Sequence, residues 1–146
     1  MEYSYHKAGY LNTDLDLFGE EPFDSIILEL GGAATLLHYR REKREGRVLW
    51  FACIEARNSR NQVNYSPQGD ILSLINTVKT MNPQAKAEWL GLRRRDFNIG
   101  WEAQNIWPQE AVFSLSSEIM KELAEINATL SVTLYPSSQG KNKDCC

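Results

Sequence analysis

The chain has 146 residues, which is enough for one ordinary domain and too few for two well-packed cores. Its composition, 42% hydrophobic and 24% charged, is that of a globular protein and excludes a disordered, collagen-like or coiled-coil chain. The net charge of -3 does not favour a generic nucleic-acid-binding protein, and no apolar run approaches the roughly 20 residues of a membrane-spanning helix. We therefore expect neither a nucleic-acid nor a membrane partner.

The first predicted elements are a strand and a helix. In residues 13–18, Leu15 and Leu17 alternate with Asp14 and Asp16, which is the period of a half-buried strand whose acids face outward. The helix that follows begins near a proline and ends at a glycine pair. Its apolar stripe has helical spacing and consists of Phe23, Ile26, Ile27 and Leu30.

A hairpin and a long loop come next. Two apolar runs, 34–39 and 48–56, predict strands, and the charged run 40–46 between them predicts their turn. Residues 57–69 show no periodicity and predict a long exposed loop, which Asp70 ends as the N-cap of the next helix. The remaining predicted elements are a helix from Asp70, a helix from Pro83 capped by Asn82, a strand over 95–103, a helix capped by Ser116 and a strand over 128–135.

An internal repeat indicates one shared sheet. The segments 13–19 and 95–101 are similar, and each is followed by a helix and then by a strand that ends in Tyr39 or Tyr135. Two β-α-β halves with right-handed crossovers place their helices on one face of the sheet. We therefore predict an α+β two-layer sandwich, broadly ferredoxin-like, with a mixed sheet of about five strands. A single domain is expected over 1–136, followed by a disordered polar tail, 137–146.

Few residues suit catalysis or metal binding. His6 and His38 share no ligand spacing with a cysteine or a carboxylate. Cys53 lies in an apolar run, where a small buried side chain is expected. The other two cysteines, Cys145 and Cys146, are adjacent, and this odd total predicts no disulfide framework and a cytoplasmic protein. We expect no catalytic residue, no metal site and no cofactor.

The acidic residues are the most informative feature of the sequence. Six acids and no lysine or arginine lie between Asp14 and Glu29. They predict a docking surface for a basic protein partner, because opposite charges speed association. Trp107, in a predicted connection, is a candidate anchor for the same partner. The acidic residues of this predicted docking surface are Asp14, Asp16, Glu20, Glu21 and Asp24.

Three other interpretations stay open. The acids are consistent with an ordinary solvated face that aids solubility. A second interpretation is an enzyme that binds a divalent cation through clustered oxygen atoms, which hard cations prefer. The residues that bind the cation are then Asp14, Asp16, Asp96 and Glu102. Exposed sheet edges are also consistent with a homodimeric structural protein, so we expect a monomer or a homodimer.

Two basic segments, 40–47 and 93–95, stand out against the acidic total. The first also contains Glu42 and Glu45, which is typical of a hairpin tip, and the second follows a helix, whose C-terminus favours cations. Neither segment has the interleaved aromatic residues that stack on nucleic-acid bases.

The order of several short motifs resembles a known family. Ala85–Trp89 precedes the strand Arg95–Gly100, the helix start Leu115–Glu118 and the closing segment Thr133–Pro136. Together with Thr13–Leu17 at the front, this order is similar to that of small bacterial proteins grouped as domain of unknown function 4279.

The resemblance covers residues 10–136 and implies a bacterial, cytoplasmic, single-domain protein without an established activity. Some similar proteins occur as immunity proteins beside contact-delivered toxins. This implies a non-enzymatic protein-binding module that neutralises a toxin, here one with a basic domain, by occluding its site. In the family an Asp often follows the central Trp, whereas Leu90 follows Trp89 here.

Overall fold

The computed structural model describes residues 9–56, 66–103 and 113–136. Within these ranges, no helix is both long enough and apolar enough to cross a membrane. The secondary-structure elements are β1 (Tyr10–Gly19), α1 (Asp24–Gly31), β2 (Ala34–Arg44), β3 (Arg47–Ala56), α2 (Pro67–Lys79), α3 (Pro83–Gly91), β4 (Arg94–Ala103), α4 (Ser117–Glu125) and β5 (Thr129–Pro136).

The five strands form one mixed sheet in the order β2-β3-β1-β4-β5. Neighbouring strands are antiparallel except β4 and β5, which are parallel. From β1 to β4 the chain follows the β-α-β-β-α-β order of a ferredoxin-like fold, with α2 and α3 together in the place of its second helix. Helix α4 and β5 then add a parallel strand beside β4. The predicted α+β two-layer sandwich with a five-stranded mixed sheet is confirmed.

The two similar segments lie side by side at the centre of the sheet. Strands β1 and β4 are antiparallel neighbours, with Asp14 opposite Asn98 and Asp16 opposite Asp96. The two β-α-β halves differ otherwise, because β3 separates β1 from β2 whereas β5 pairs directly with β4. The repeat therefore brings the polar side chains of its two segments together without making the halves equivalent.

One face of the sheet and the four helices enclose the main hydrophobic core. The alternation in β1 buries Leu15 and Leu17 on this face, and Phe97 and Ile99 of β4 lie beside them. Helices α3 and α4 begin at the predicted caps, Asn82 and Ser116.

Helix α2 begins earlier than the sequence predicts. Ser66 is its N-cap, and Pro67 occupies its first turn, where a missing N–H does no harm. Asp70, predicted as the cap, is instead buried within the helix and accepts a hydrogen bond of 2.5 Å from the hydroxyl of Tyr10. The last residues of the predicted loop are therefore helical, and residues 57–65 lie outside the described part of the chain.

Helix α1 receives its cap from another helix. Phe23 precedes α1 and has no side-chain acceptor for the free N–H groups of the first turn. The backbone N–H groups of Ser25 and Ile26 donate instead to the carboxylate of Glu88 in α3, at 3.4 and 3.0 Å. This contact ties α1 to α3 above the sheet.

The charged run 40–46 is mostly strand, which corrects the predicted turn. Only Glu45 and Gly46 turn the chain, with φ angles of 50° and 76°. Two consecutive positive φ angles are typical of the two-residue type I′ hairpin, whose twist matches that of the strands. The ladder between β2 and β3 consequently continues to the pair Arg44–Arg47.

Candidate functional site

The face of the sheet opposite the helices is polar, and we call it the polar face. Its side chains alternate with the core residues along each strand. Hydroxyls from β5 and arginines from β2 flank a central group of carboxylates and amides. A small apolar cluster of Phe18, Phe51 and Cys53 packs apart from the main core. The central polar members are Asn12, Asp14, Asp16, Glu55, Asp96 and Asn98.

Asp16 and Asp96 form a pair across β1 and β4. Asp96 is buried, and its Oδ1 accepts hydrogen bonds from the hydroxyls of Thr129 and Ser131 at 2.6 and 2.9 Å. Its Oδ2 lies 3.4 Å from Nη2 of Arg94. Burial, followed by the negative charge of Asp96, raises the pKa of Asp16 to about 6, although Arg94 opposes the shift. The two carboxylates therefore share one cationic neighbour.

Asp14 lies deeper in the polar face. It is 5% exposed, so the expectation that the alternating acids of this strand face solvent is wrong for Asp14. Nδ2 of Asn12 donates to Oδ1 of Asp14 at 3.3 Å and to Oε2 of Glu55 at 2.9 Å. Burial, and then the charges of Glu55 and Asp16, raise the pKa of Asp14 to about 8. This side chain is therefore largely protonated at neutral pH.

A glycine makes room for this polar network. A Cβ on Gly100 of β4 would overlap Oδ1 of Asn12 on the neighbouring strand. On the other side of β4, the hydroxyl of Thr133 donates to Oδ1 of Asn98 at 2.9 Å. The hydrogen bonds of the polar face thus extend over β1, β3, β4 and β5.

A cleft of about 660 Å³ lies at the end of the polar face, where β1 ends and β4 begins. Phe18 and Leu49 form its apolar part, and Glu45 of the hairpin turn lies at its margin. The arginine side chains are 46% to 60% exposed, so their guanidinium groups reach solvent. We call this cleft the arginine cleft, after Arg44, Arg47, Arg93 and Arg94.

Each arginine of the cleft is held by a carboxylate. The guanidinium of Arg44 also lies over the ring of Phe18, 4.7 Å from its centre, as in a cation–π contact. These contacts restrict the side chains without removing them from solvent. The ion pairs are Arg44–Glu42 (3.0 Å), Arg47–Glu20 (3.7 Å), Arg93–Glu20 (3.3 Å) and Arg94–Asp96 (3.4 Å).

The structure divides the predicted acidic docking surface into separate environments. Asp14 and Asp16 belong to the polar face. Glu20 and Glu21 are exposed beyond the end of β1, and Glu20 contacts two arginines. Asp24 begins α1 in the helical layer, where it accepts a hydrogen bond of 2.6 Å from the hydroxyl of a tyrosine. Trp107, the predicted anchor, and the polar tail 137–146 lie outside the described residues.

The cation-binding alternative has no geometric support. Within the described ranges, no group of three His, Cys, Asp or Glu side chains is arranged to hold a metal ion. Asp14, Asp16 and Asp96 share a face with Glu102 but do not converge as ligands. His38 lies beside Arg40, with 3.4 Å between its Nδ1 and Nη1 of the arginine.

Cys53 departs from its expected state. It is fully buried, as predicted, but it is also disulfide-bonded. The sequence predicted no disulfide framework, and this cysteine is nevertheless in a disulfide bond. Cys145 and Cys146 lie outside the described residues.

Sequence reasoning missed the arginine cleft because its arginines come from two distant segments. Arg44 and Arg47 flank the hairpin turn, whereas Arg93 and Arg94 precede or begin β4. Strand β1 pairs with both β3 and β4, so both segments border its end at Phe18. All five residues of 40–44 are charged, so no alternation of apolar and polar side chains marked this segment as a strand.

Comparisons with family models, with curated proteins and with solved structures found no match to this chain. The resemblance to domain of unknown function 4279 therefore stays a prediction. A ferredoxin-like topology hosts many activities, so function has to be argued from the site.

Proposed function

We propose that this protein is a non-enzymatic binding module that holds a partner protein at the arginine cleft. The observation that carries the proposal is that four exposed arginines line one cleft together with the apolar side chains of Phe18 and Leu49. Arginine and aromatic residues are enriched at protein interfaces, and truncating them there weakens binding most.

The ion pairs of the cleft support a binding role. A flexible arginine loses conformational entropy when a partner immobilises it, and this loss weakens association. Here the carboxylates of Glu42 and Asp96 already restrict the guanidinium groups of Arg44 and Arg94. The cleft therefore presents donors that are partly ordered before a partner arrives.

Toxin neutralisation is the specific form of binding that we propose. An immunity-type protein covers the site of its toxin, and a small domain with an exposed cleft suits that task. The resemblance described above supports this form. A basic toxin domain docked on Glu20 and Glu21, as the acidic run predicts, remains a hypothesis alongside it.

Catalysis by the carboxylates is the alternative function. Raised pKa values in a polar cluster are typical of acid–base sites, and those of Asp14 and Asp16 are raised. A substrate has little access to Asp14, however, because its side chain is buried between neighbouring strands. Its hydrogen bond with Asn12 gives it a structural role, and binding is the better supported function.

Capture of a partner by tagged protein, in the organism that encodes it, tests the proposal. The cleft variant is Arg44→Glu with Arg94→Glu, and the control is Lys86→Glu with Lys121→Glu, which reverses two exposed charges on α3 and α4. We expect the wild type and the control to retain one stoichiometric partner that the cleft variant loses. Retention of that partner by the cleft variant, or no stoichiometric partner at all, would contradict the proposal.

Co-expression tests the toxin-neutralising form. The product of the neighbouring gene is expressed with the wild type, the cleft variant or the control, and bacterial growth is measured. Rescue by the wild type and the control, but not by the cleft variant, is expected. Equal growth with all three proteins would contradict this form, and thermal unfolding of each variant verifies that it is folded.

A further inference from the structure

Arginines outnumber acids among the residues that line the cleft, although the protein as a whole is acidic. The chain carries a net charge of -3, but four arginines and one glutamate line the cleft. Among the described residues, each of these arginines has ion pairs with a single carboxylate. A guanidinium has five N–H donors, so each arginine retains donors for a further acceptor.

We infer that the arginine cleft binds an acidic segment of the partner protein, whose carboxylates enter among its guanidinium groups. This inference rests on the proposed function, because it names the chemistry of the partner at the same site. A planar guanidinium matches a carboxylate through two parallel hydrogen bonds, which makes arginine well suited to this recognition.

The carboxylate of Glu20 lies between two arginines of the cleft and shows where a carboxylate of the partner can bind. Its Oε1 lies 3.3 Å from Nε of Arg93 and 3.7 Å from Nη1 of Arg47. Both distances are longer than those of a strong charged hydrogen bond, and the side chain of Glu20 is 59% exposed. A carboxylate of the partner can therefore displace Glu20, which then swings into solvent.

The surroundings favour separated carboxylates over a nucleic-acid backbone. Glu20, Glu42 and Glu45 intersperse negative charge among the arginines, and this repels a polymer that carries a negative charge at every unit. Phe18 and Leu49 offer apolar contact between the charges. An acidic peptide segment with intervening uncharged side chains fits this alternation.

A labelled peptide tests the inference on the full chain. The probe is a short dye-labelled peptide that alternates glutamate with leucine, and its partner peptide has glutamine at every glutamate. Fluorescence anisotropy is measured for the wild type, for Glu20→Gln, for Arg44→Gln with Arg94→Gln, and for the control Lys86→Gln with Lys121→Gln. Inorganic phosphate is added as a competitor.

The variants are expected to shift affinity in opposite directions. Glu20→Gln removes the internal competitor and tightens binding of the glutamate peptide severalfold. The double arginine variant weakens binding of the same peptide about tenfold or more, which corresponds to a loss of about 1.4 kcal/mol or more of binding free energy. The control matches the wild type, and added salt weakens binding. Equal binding of the glutamine peptide, equal loss in the control, or binding of phosphate without the peptide would overturn the inference.

The two experiments give different results if this inference is wrong and if the proposed function is wrong. If the captured partner depends on the cleft arginines but the glutamate peptide does not compete for it, the acidic-segment inference is wrong and the binding function stands. If the peptide binds with the expected variant pattern but no stoichiometric partner is captured, the protein-binding function is wrong and the chemistry of the cleft stands.

Discussion

Replacement of Asp14 by asparagine is expected to stabilise the protein, and increasingly so as the pH rises. Asparagine keeps the size and one acceptor of the side chain, so the hydrogen bond from Asn12 can persist. It removes the only charge that Asp14 can carry. The buried position next to Glu55 and Asp16 disfavours that charge, which is why its pKa is raised from 3.8 to about 8.

The pH dependence of the effect has a definite sign. Below about pH 4, Asp14 is protonated in both the folded and the unfolded chain, and its titration contributes nothing. Between about pH 4 and pH 8 the unfolded chain is ionised while the folded protein keeps the proton, so wild-type stability falls as the pH rises. Above about pH 8 the penalty is complete. The amide of the Asp14→Asn variant does not titrate, so the variant does not show this loss.

The magnitude follows from the size of the pKa shift. At about 1.4 kcal/mol per pKa unit, a shift from 3.8 to about 8 sets an upper bound of about 6 kcal/mol. Local relaxation and partial hydration reduce such penalties severalfold, so we expect Asp14→Asn to gain about 2 kcal/mol near pH 8.5 and almost nothing near pH 4. Urea unfolding followed by tryptophan fluorescence measures both values, and the exposed Glu21→Gln is the control. A destabilisation of equal size at both pH values would refute the reasoning.

Three individual contacts give further expected outcomes. Glu88→Ala removes the acceptor of two N–H groups at the start of α1 and lowers the free energy of unfolding by about 1 kcal/mol, measured in urea; an unchanged value would contradict the cap. Gly100→Ala places a methyl group on Oδ1 of Asn12 and costs about 2 kcal/mol, but less in an Asn12→Ala background; equal costs in a double-mutant cycle would rule out this contact as the cause. Because ionised Asp16, with a pKa of about 6, adds negative charge beside Arg94, affinity for the glutamate peptide falls severalfold between about pH 5 and about pH 7.5. Asp16→Asn abolishes that trend in an anisotropy titration, and a trend that survives would exclude Asp16 as its source.

Local patterns in the sequence were sufficient to predict the existence and order of the elements, although not all of their bounds. The alternation of Leu15 and Leu17 with polar residues identified β1, and the capping side chains Asn82 and Ser116 identified the starts of α3 and α4. These signals lie within a few residues of one another, so they can be recognised in the sequence without knowledge of the fold. The order of the strands in the sheet cannot be predicted from such local patterns, because the position of β3 between β1 and β2 depends on contacts between distant segments.

The hairpin shows why a highly charged segment can be a strand and not a loop: long charged side chains on a strand can still reach water. All five residues of the segment 40–44 are charged, and this charge predicted a loop. In the structure, however, Arg40 and Arg44 lie above the ring of Phe51, at 6.0 and 5.6 Å from its centre. Their apolar stems and planar heads cover an aromatic surface while the charge remains solvated, so the strand continues to the turn.

The role of Asp70 could not be predicted from the neighbouring residues, because it depends on a residue that is distant in the sequence. A short acidic side chain before an apolar stripe has the appearance of an N-cap, and Ser66 fills that role instead. What decides the outcome is Tyr10 on β1, whose hydroxyl reaches Asp70 from a strand sixty residues away in sequence. Burial then raises the pKa of Asp70 to about 6, although the hydrogen bond from Tyr10 opposes the shift.

The acidic residues of the chain explain how an acidic protein can present a positive cleft. Each cleft arginine has a carboxylate behind or beside it, and these carboxylates come from β2 and β4 or from the segment just after β1. An arginine without such a partner would sample many rotamers, and binding would have to restrict all of them. The acids at Glu42 and Asp96 therefore reduce the net charge of the chain while they restrict the guanidinium groups of Arg44 and Arg94. An excess of acids in the sequence is thus compatible with recognition of an acidic partner, because the exposed ends of the ion pairs, rather than the total charge, determine what the cleft binds.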